Sequence, residues 1–171
     1  VDAKANAVKF EVNDDVKADV LNVLPPMRAG TIAQQTGLAN INARWCDVNY
    51  MTYESKVHAG IHVIGDSIQL APLMPKSGHM ANQQGKAAAA AIIELLAGRA
   101  PHTQPVVMNT CYSFVDAKSA IHVASIHQYS AEQKTMLTVP GSGGVSGGGA
   151  TELEGTYAMA WAQNIWADML A

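Results

Sequence analysis

The chain has 171 residues, 49% of them apolar and 15% charged, with a formal net charge of −3. A chain this long buries about 70% of its unfolded surface, so neither a disulfide framework nor a structural metal is needed to hold it together. Lys and Arg are scattered singly through a slightly acidic sequence, which argues against a nucleic-acid face, and no apolar run approaches the ~18 residues of a membrane span.

The first residues read as the inside of a domain, so the chain is expected to be a fragment. Ala7 to Val12 alternates apolar and polar residues as a half-buried strand does, and Asn13-Asp14-Asp15 is a turn from which Val16 to Val20 returns. Asp19 to Leu24 reads as a buried strand stopped by Pro25-Pro26. Ala29 to Thr36 predicts a short helix closed by Gly37, and 40–53 an irregular or short-stranded stretch. Ile61 to Ile64 predicts a short apolar strand running into Gly65-Asp66, followed by a proline-spaced loop, Ala71 to Lys76.

The clearest signal comes next. Ser77 can cap a helix running from about Gly78 to Ala97, ended by Gly98 with Pro101 beyond. Ala120 to Gln128 and Lys134 to Val139 read as two antiparallel strands. Thr151-x-x-Glu154 is a capping box that opens a last helix, about Glu152 to Leu170.

Several of these features invite chemistry. The run Gly141 to Gly149 lies between a strand and a helix, but Ser146 stands where a dinucleotide loop has its third glycine, and no second strand follows the helix. It reads as a plain loop. Gly65-Asp66 is an ordinary turn or, at the end of a parallel strand, a site where the carboxylate accepts bonds from sugar or ribityl hydroxyls. Met74-Pro75-Lys76-Ser77-Gly78 heads the long helix, whose N-terminus offers free N–H groups and about half a positive charge. Aimed at the pyrimidine edge of a flavin, that end and Lys76 would stabilise the reduced ring; otherwise it is a capped surface helix after a rigid turn. Cys46, beside Trp45, reads as a packed thiol. His58 and His62 share no helix face, and His122 and His127 point to opposite sides of a strand, so no metal site is expected. The stripe Tyr157, Trp161, Ile165, Trp166 and Met169 on the last helix reads as a packing face.

Taken together, Gly60-Ile-His-Val-Ile-Gly-Asp66, Met74-Pro-Lys-Ser-Gly-His-Met-Ala-Asn-Gln83 and Asn109-Thr-Cys-Tyr-Ser113 resemble the C-terminal part of the flavoprotein subunit of flavocytochrome c sulfide dehydrogenase. The resemblance runs through the chain in one order, from Pro25-Pro26 to Trp161. It implies an α/β chain, the C-terminal part of a glutathione-reductase-like flavoprotein with two dinucleotide domains and an α+β tail. Residues 1–55 would end the second nucleotide-type domain, 56–104 supply the FAD-binding strand, loop and helix, and 105–171 form the C-terminal flavin-binding and interface domain.

The implied enzyme is a periplasmic FAD oxidoreductase that oxidises sulfide at a cystine and passes electrons singly to a haem c cytochrome subunit. Carried over by position, Asp66 holds the ribityl chain, Pro75, Lys76 and Ser77 line the isoalloxazine, Gly65 and Met74 belong to the same cofactor-binding set, Trp161 sits close to the flavin, and Cys111 is half of the redox cystine. The dinucleotide fingerprint, the cysteine that tethers the flavin and the partner of Cys111 are absent from these residues. The piece alone is therefore expected to bind FAD poorly and to be inactive. Cys111 is expected to be a free thiol, or paired outside these residues, on the side where Asp66 and Ser77 converge; a buried inert thiol is the plainer alternative. Two other functions stay open: a sulfide:quinone oxidoreductase, and a non-catalytic interaction module.

Overall fold

The long helix forms where the sequence places it. In the computed structural model, which describes residues 1–170, the second helix of the chain, α2, spans Gly78–Leu96, after a first, α1, at Thr31–Gln35. Ser77 caps α2 by accepting the Met80 N–H at 3.1 Å. At its other end the N–H groups of Gly98 and Arg99 return to the carbonyls of Leu95 and Glu94, which leaves few carbonyls unpaired. The domain boundary expected at 171 falls on Ala171, which lies outside the described residues.

The architecture is mixed α/β, and its named strands pair antiparallel. Two small hairpins come first, β1 (Ala7–Val8) with β2 (Val16–Lys17), and β3 (Val48–Asn49) with β4 (Glu54–Ser55). The main sheet follows α2: β5 (Val106–Phe114), β6 (Ala120–Ser130), β7 (Thr135–Thr138) and β8 (Gly144–Val145), with β6 bonded to all three others. The last helix, α3, spans Glu152–Leu170 and packs on β6, while α2 packs on β5.

One core joins these pieces. Met80 and Ala88 of α2 meet Val107, Tyr129 and Met136 of the sheet on one side and Val48, Tyr50, Tyr53, Ile68 and Met74 on the other. It draws on all three expected segments of the chain. A smaller cluster of Ala29, Ala33, Leu38 and Cys46 seats α1. Cys46 is fully buried there, its backbone paired with that of Ser67 and Gln69.

Four expectations are corrected. The buried strand at 19–24 does not form: Val20 and Leu24 are 86% and 90% exposed. An apolar run makes a strand only where another strand takes its N–H and C=O groups, and Pro25-Pro26 removes two donors at once. The 61–64 strand ending at Asp66 is reduced to a single bridge, His62 to Glu54, and Gly65–Ser67 is a turn of 3₁₀ helix. Gly60 and Gly65, both at positive φ, turn the chain at either end before a ladder can grow. It is no parallel strand. The loop at 141–149 contains β8, whose Val145 pairs with Val123. The aromatic stripe of α3 is only partly a packing face. Gly155, Ala158, Trp161 and Ile165 turn inward, whereas Tyr157, Trp166 and Met169 are exposed.

The capping box at Thr151 is half formed. Thr151 Oγ1 accepts the Glu154 N–H at 3.1 Å, but the Glu154 carboxylate reaches His122 Nδ1 at 2.7 Å instead of returning to the cap. That bond ties the first turn of α3 to β6.

Candidate functional site

The site grows from the head of α2. Ser77 stands at the cap, and the N–H groups of Gly78 and His79 make no hydrogen bond among the described residues. Gly78 is exposed and a Cβ there would meet nothing within 4 Å, so open space lies over the helix end. Two free donors at a positive helix terminus suit an electron-rich oxygen or nitrogen of a ligand.

Below the helix end lies β5, which the sequence reading left without an element. Val107, Asn109 and Cys111 alternate onto one face of it. Asn109 is 3% exposed and accepts the Ser77 hydroxyl at Oδ1; its Nδ2 lies 3.4 Å from Cys111 Sγ. Ser77, Asn109 and Cys111 thus form one chain of contacts from the helix cap to the sulfur. Cys111 is partly exposed, and it and Cys46 are both free thiols.

The Gly65-Asp66 turn approaches from the other side. Gly65 N–H donates to Gln84 Oε1 at 2.7 Å, and Gln84 Nε2 lies 3.5 Å from the Met74 sulfur. Met74 is buried and supports the loop from beneath. The Asp66 carboxylate is exposed and makes no hydrogen bond among the described residues, which leaves both oxygens for hydroxyl donors. Lys76 is engaged: its Nζ donates to the carbonyls of Asp66 at 2.6 Å and Ile68 at 3.0 Å, and lies 3.8 Å from the centre of the Trp45 ring. Burial pulls its ammonium below the usual value, against the opposing charge of Asp66. It fastens the Asp66 turn to the helix entry and has one N–H left for a ligand.

His79, unnoticed in the sequence, joins α2 to both other elements. Its Nδ1 accepts the Thr110 N–H at 2.9 Å, and its ring meets Trp161 edge-on at 5.3 Å. Trp161 also packs on Tyr112, at 5.8 Å. This brings Trp161 to the N-terminal end of α2 on the Tyr112 face of β5, the face opposite Cys111. Nothing in the residue pattern marks His79; its role depends on a strand that begins 27 residues later. Asn109 carries a signal only as the first residue of Asn109-Thr-Cys-Tyr-Ser113, two positions before the cysteine.

The histidines give a prediction. Burial holds His79 and His127 below the ordinary imidazole value, with Lys86 adding to the effect at His79. The unfolded chain, with imidazoles near 6.5, takes up protons first as pH falls. Stability is therefore full above about pH 6.5 and declines as pH drops through the window below it. Urea midpoints measured near pH 7.5 and pH 5 should fall in that order, before carboxylates titrate. A midpoint unchanged at pH 5 would mean that neither ring is held neutral. Each of the other four partnered histidine rings has its own bond, and among the described residues no three His, Cys, Asp or Glu are grouped to hold a metal.

The family whose model matches this chain is described as Flavocytochrome c sulphide dehydrogenase, flavin-binding, and the match covers residues 103–170. It takes in β5 with Cys111 and α3 with Trp161, and stops short of Asp66 and Ser77.

Proposed function

Because residues 103–170 match the family model described as Flavocytochrome c sulphide dehydrogenase, flavin-binding, we propose that the chain works in an FAD enzyme that oxidises sulfide at a cystine and passes electrons to a haem c cytochrome, in the periplasm. The observation that carries this reading is the placement of Cys111. It lies on the matched strand, partly exposed, and connects through Asn109 to Ser77 at the open N-terminus of α2.

The residues suit a flavin. Asp66 has two unengaged carboxylate oxygens for ribityl hydroxyls, Gly65 brings the backbone close, and the free Gly78 N–H at the head of α2 lies beside open space for the pyrimidine edge. Pro75, Lys76 and Ser77 would border the ring, with Met74 beneath their loop and Trp161 behind His79. FAD, when bound, takes up electrons as a pair and gives them up singly, as a haem acceptor requires.

Cys111 does the sulfur chemistry with a second cysteine from outside these residues. Hydrosulfide attacks one sulfur of the cystine, its S–S bond breaks, a persulfide forms on the attacked sulfur, and the other sulfur leaves as a thiolate. The helix N-terminus favours that negative charge.

The quinone reading keeps one observation in its favour: α3 leaves Met159, Trp166, Met169 and Leu170 exposed, an apolar side suited to a docking partner or a membrane surface. No described helix is long and apolar enough to cross a membrane. The test gives sulfide to the flavin-loaded protein that carries the second cysteine, together with either a soluble c-type cytochrome or a quinone in vesicles. Reduction of the cytochrome without vesicles is the expected result. Reduction of the quinone alone would replace the acceptor, and reduction of neither would leave a non-catalytic module.

A further inference from the structure

We propose that Asn109 stabilises the thiolate of Cys111, and that Ser77 is the positioning residue that holds Asn109 for this task. The inference rests on the reading of Cys111 as the reacting thiol and assigns its sulfur a hydrogen-bond partner.

The geometry is specific. Asn109 meets Cys111 Sγ with both ends of its amide, Nδ2 at 3.4 Å and Oδ1 at 3.5 Å. A thiol can donate to the oxygen, whereas a thiolate can only accept, and the amide N–H supplies that bond. Asn109 therefore serves the sulfur in both protonation states. Asn109 is 3% exposed, so water cannot replace the amide there at no cost.

Ser77 decides which way the amide faces once the thiolate forms. One lone pair of its hydroxyl takes the Met80 N–H at 3.1 Å, and its proton goes to Asn109 Oδ1. With the oxygen held by Ser77, the N–H edge is left for sulfur. A group that only tied β5 to α2 would need the Ser77 bond alone. The second contact, on Sγ, has no use in that role.

The test separates the two roles. Asn109→Asp keeps an oxygen for the Ser77 hydroxyl and removes the N–H that faces sulfur, but it also adds a charge that opposes the thiolate, so Ser77→Ala, which adds none, is the deciding variant. The flavin-loaded protein is reduced with a phosphine, freed of reductant, and treated with iodoacetamide, and alkylation is followed by the mass of the Cys111 peptide. Near pH 7 the Asp variant should alkylate at Cys111 about tenfold more slowly, as loss of a bond to a charged group implies. Near pH 10, where thiols ionise without help, its rate should approach that of the parent. Cys46 is fully buried and reports on the fold, since it reacts only if the protein opens.

Ser77 answers the question whether or not the Asp variant opens. Ser77→Ala should slow Cys111 alkylation near pH 7 about threefold, and Ser77→Thr should restore it. A folded Asn109→Asp protein reacting at the parent rate, or equal rates for Ser77→Ala and Ser77→Thr, would overturn the proposal. These rates involve neither sulfide nor acceptor, so their failure is a separate result from failure of the sulfide reading.

Discussion

In the flavin-loaded protein that carries the second cysteine, replacing Cys111 with serine is expected to slow reduction of the bound flavin by sulfide by about 1,000-fold or more, with the fold and flavin content kept. A serine oxygen forms no cystine, so hydrosulfide has no S–S bond to break, and a hydroxyl is hardly ionised at a pH where a thiol supplies thiolate. The fold should tolerate the change, because the sulfur is partly exposed and its polar contact is Asn109, which accepts or donates to a hydroxyl equally well. Cys46→Ser is the control. That sulfur is enclosed by Ala29, Ala33 and Leu38, so its replacement should lower stability and leave the sulfide rate unchanged. Stopped-flow absorbance of the flavin, mixed anaerobically with sulfide, reads both variants. A Cys111→Ser protein that is reduced at the parent rate would make Cys111 a packed thiol and take it out of the mechanism.

How much of this was legible in the sequence depends on where each residue finds its partner. The α2 helix and its cap were readable because Ser77, the Ala-rich run and Gly98 act within a few residues of one another. The β6–β7 pair was readable for the same reason, since a short turn joins two alternating runs. β5 was not. Its inward positions are Val107, Asn109 and Cys111, and a polar residue in the middle breaks the alternation that marks a strand. Asn109 can be buried there because Ser77, 32 residues earlier, takes its amide oxygen. The segment 19–24 failed in the opposite sense. It has the apolar pattern and lacks any strand to pair with, so the pattern stays in solvent.

The same distinction holds at the site. The motif residues were visible as a set, but what each does was not. Lys76 read as a free charge for a ligand, whereas its ammonium holds two carbonyls and lies over Trp45. Met74, in the same motif, is buried in the core that joins α2 to the sheet. Side chains this long take whichever partner the fold brings near, and sequence spacing says little about which that is.

Gly155→Ala should destabilise the protein although alanine favours helices. Gly155 sits in the first turn of α3, where three contacts hold the helix against the sheet. Thr151 and Ala120 exchange backbone bonds at 3.1 Å each, and Glu154 meets His122 at 2.7 Å. This brings α3 down on the 115–119 turn between β5 and β6. A Cβ on residue 155 would run into the Lys118 carbonyl, with its carbon at 2.8 Å and Phe114 Cε1 at 3.3 Å. The turn cannot readily withdraw, since the Asp116 carboxylate takes the N–H groups of Lys118 and Ser119 at 2.8 and 2.7 Å. Overpacking against backbone costs up to about 3 kcal/mol, and the better helix former returns about 1. A net loss of about 2 kcal/mol lowers the melting temperature by roughly 4–8 °C for a chain of this size. Gly85→Ala, in α2, is the matched comparison. A Cβ there meets only the end of the Ile64 side chain, at 3.4 Å, which can turn aside. That variant should melt at or slightly above the parent temperature. Thermal unfolding followed by circular dichroism separates the two, and equal melting temperatures would mean that α3 does not rest on the 115–119 turn.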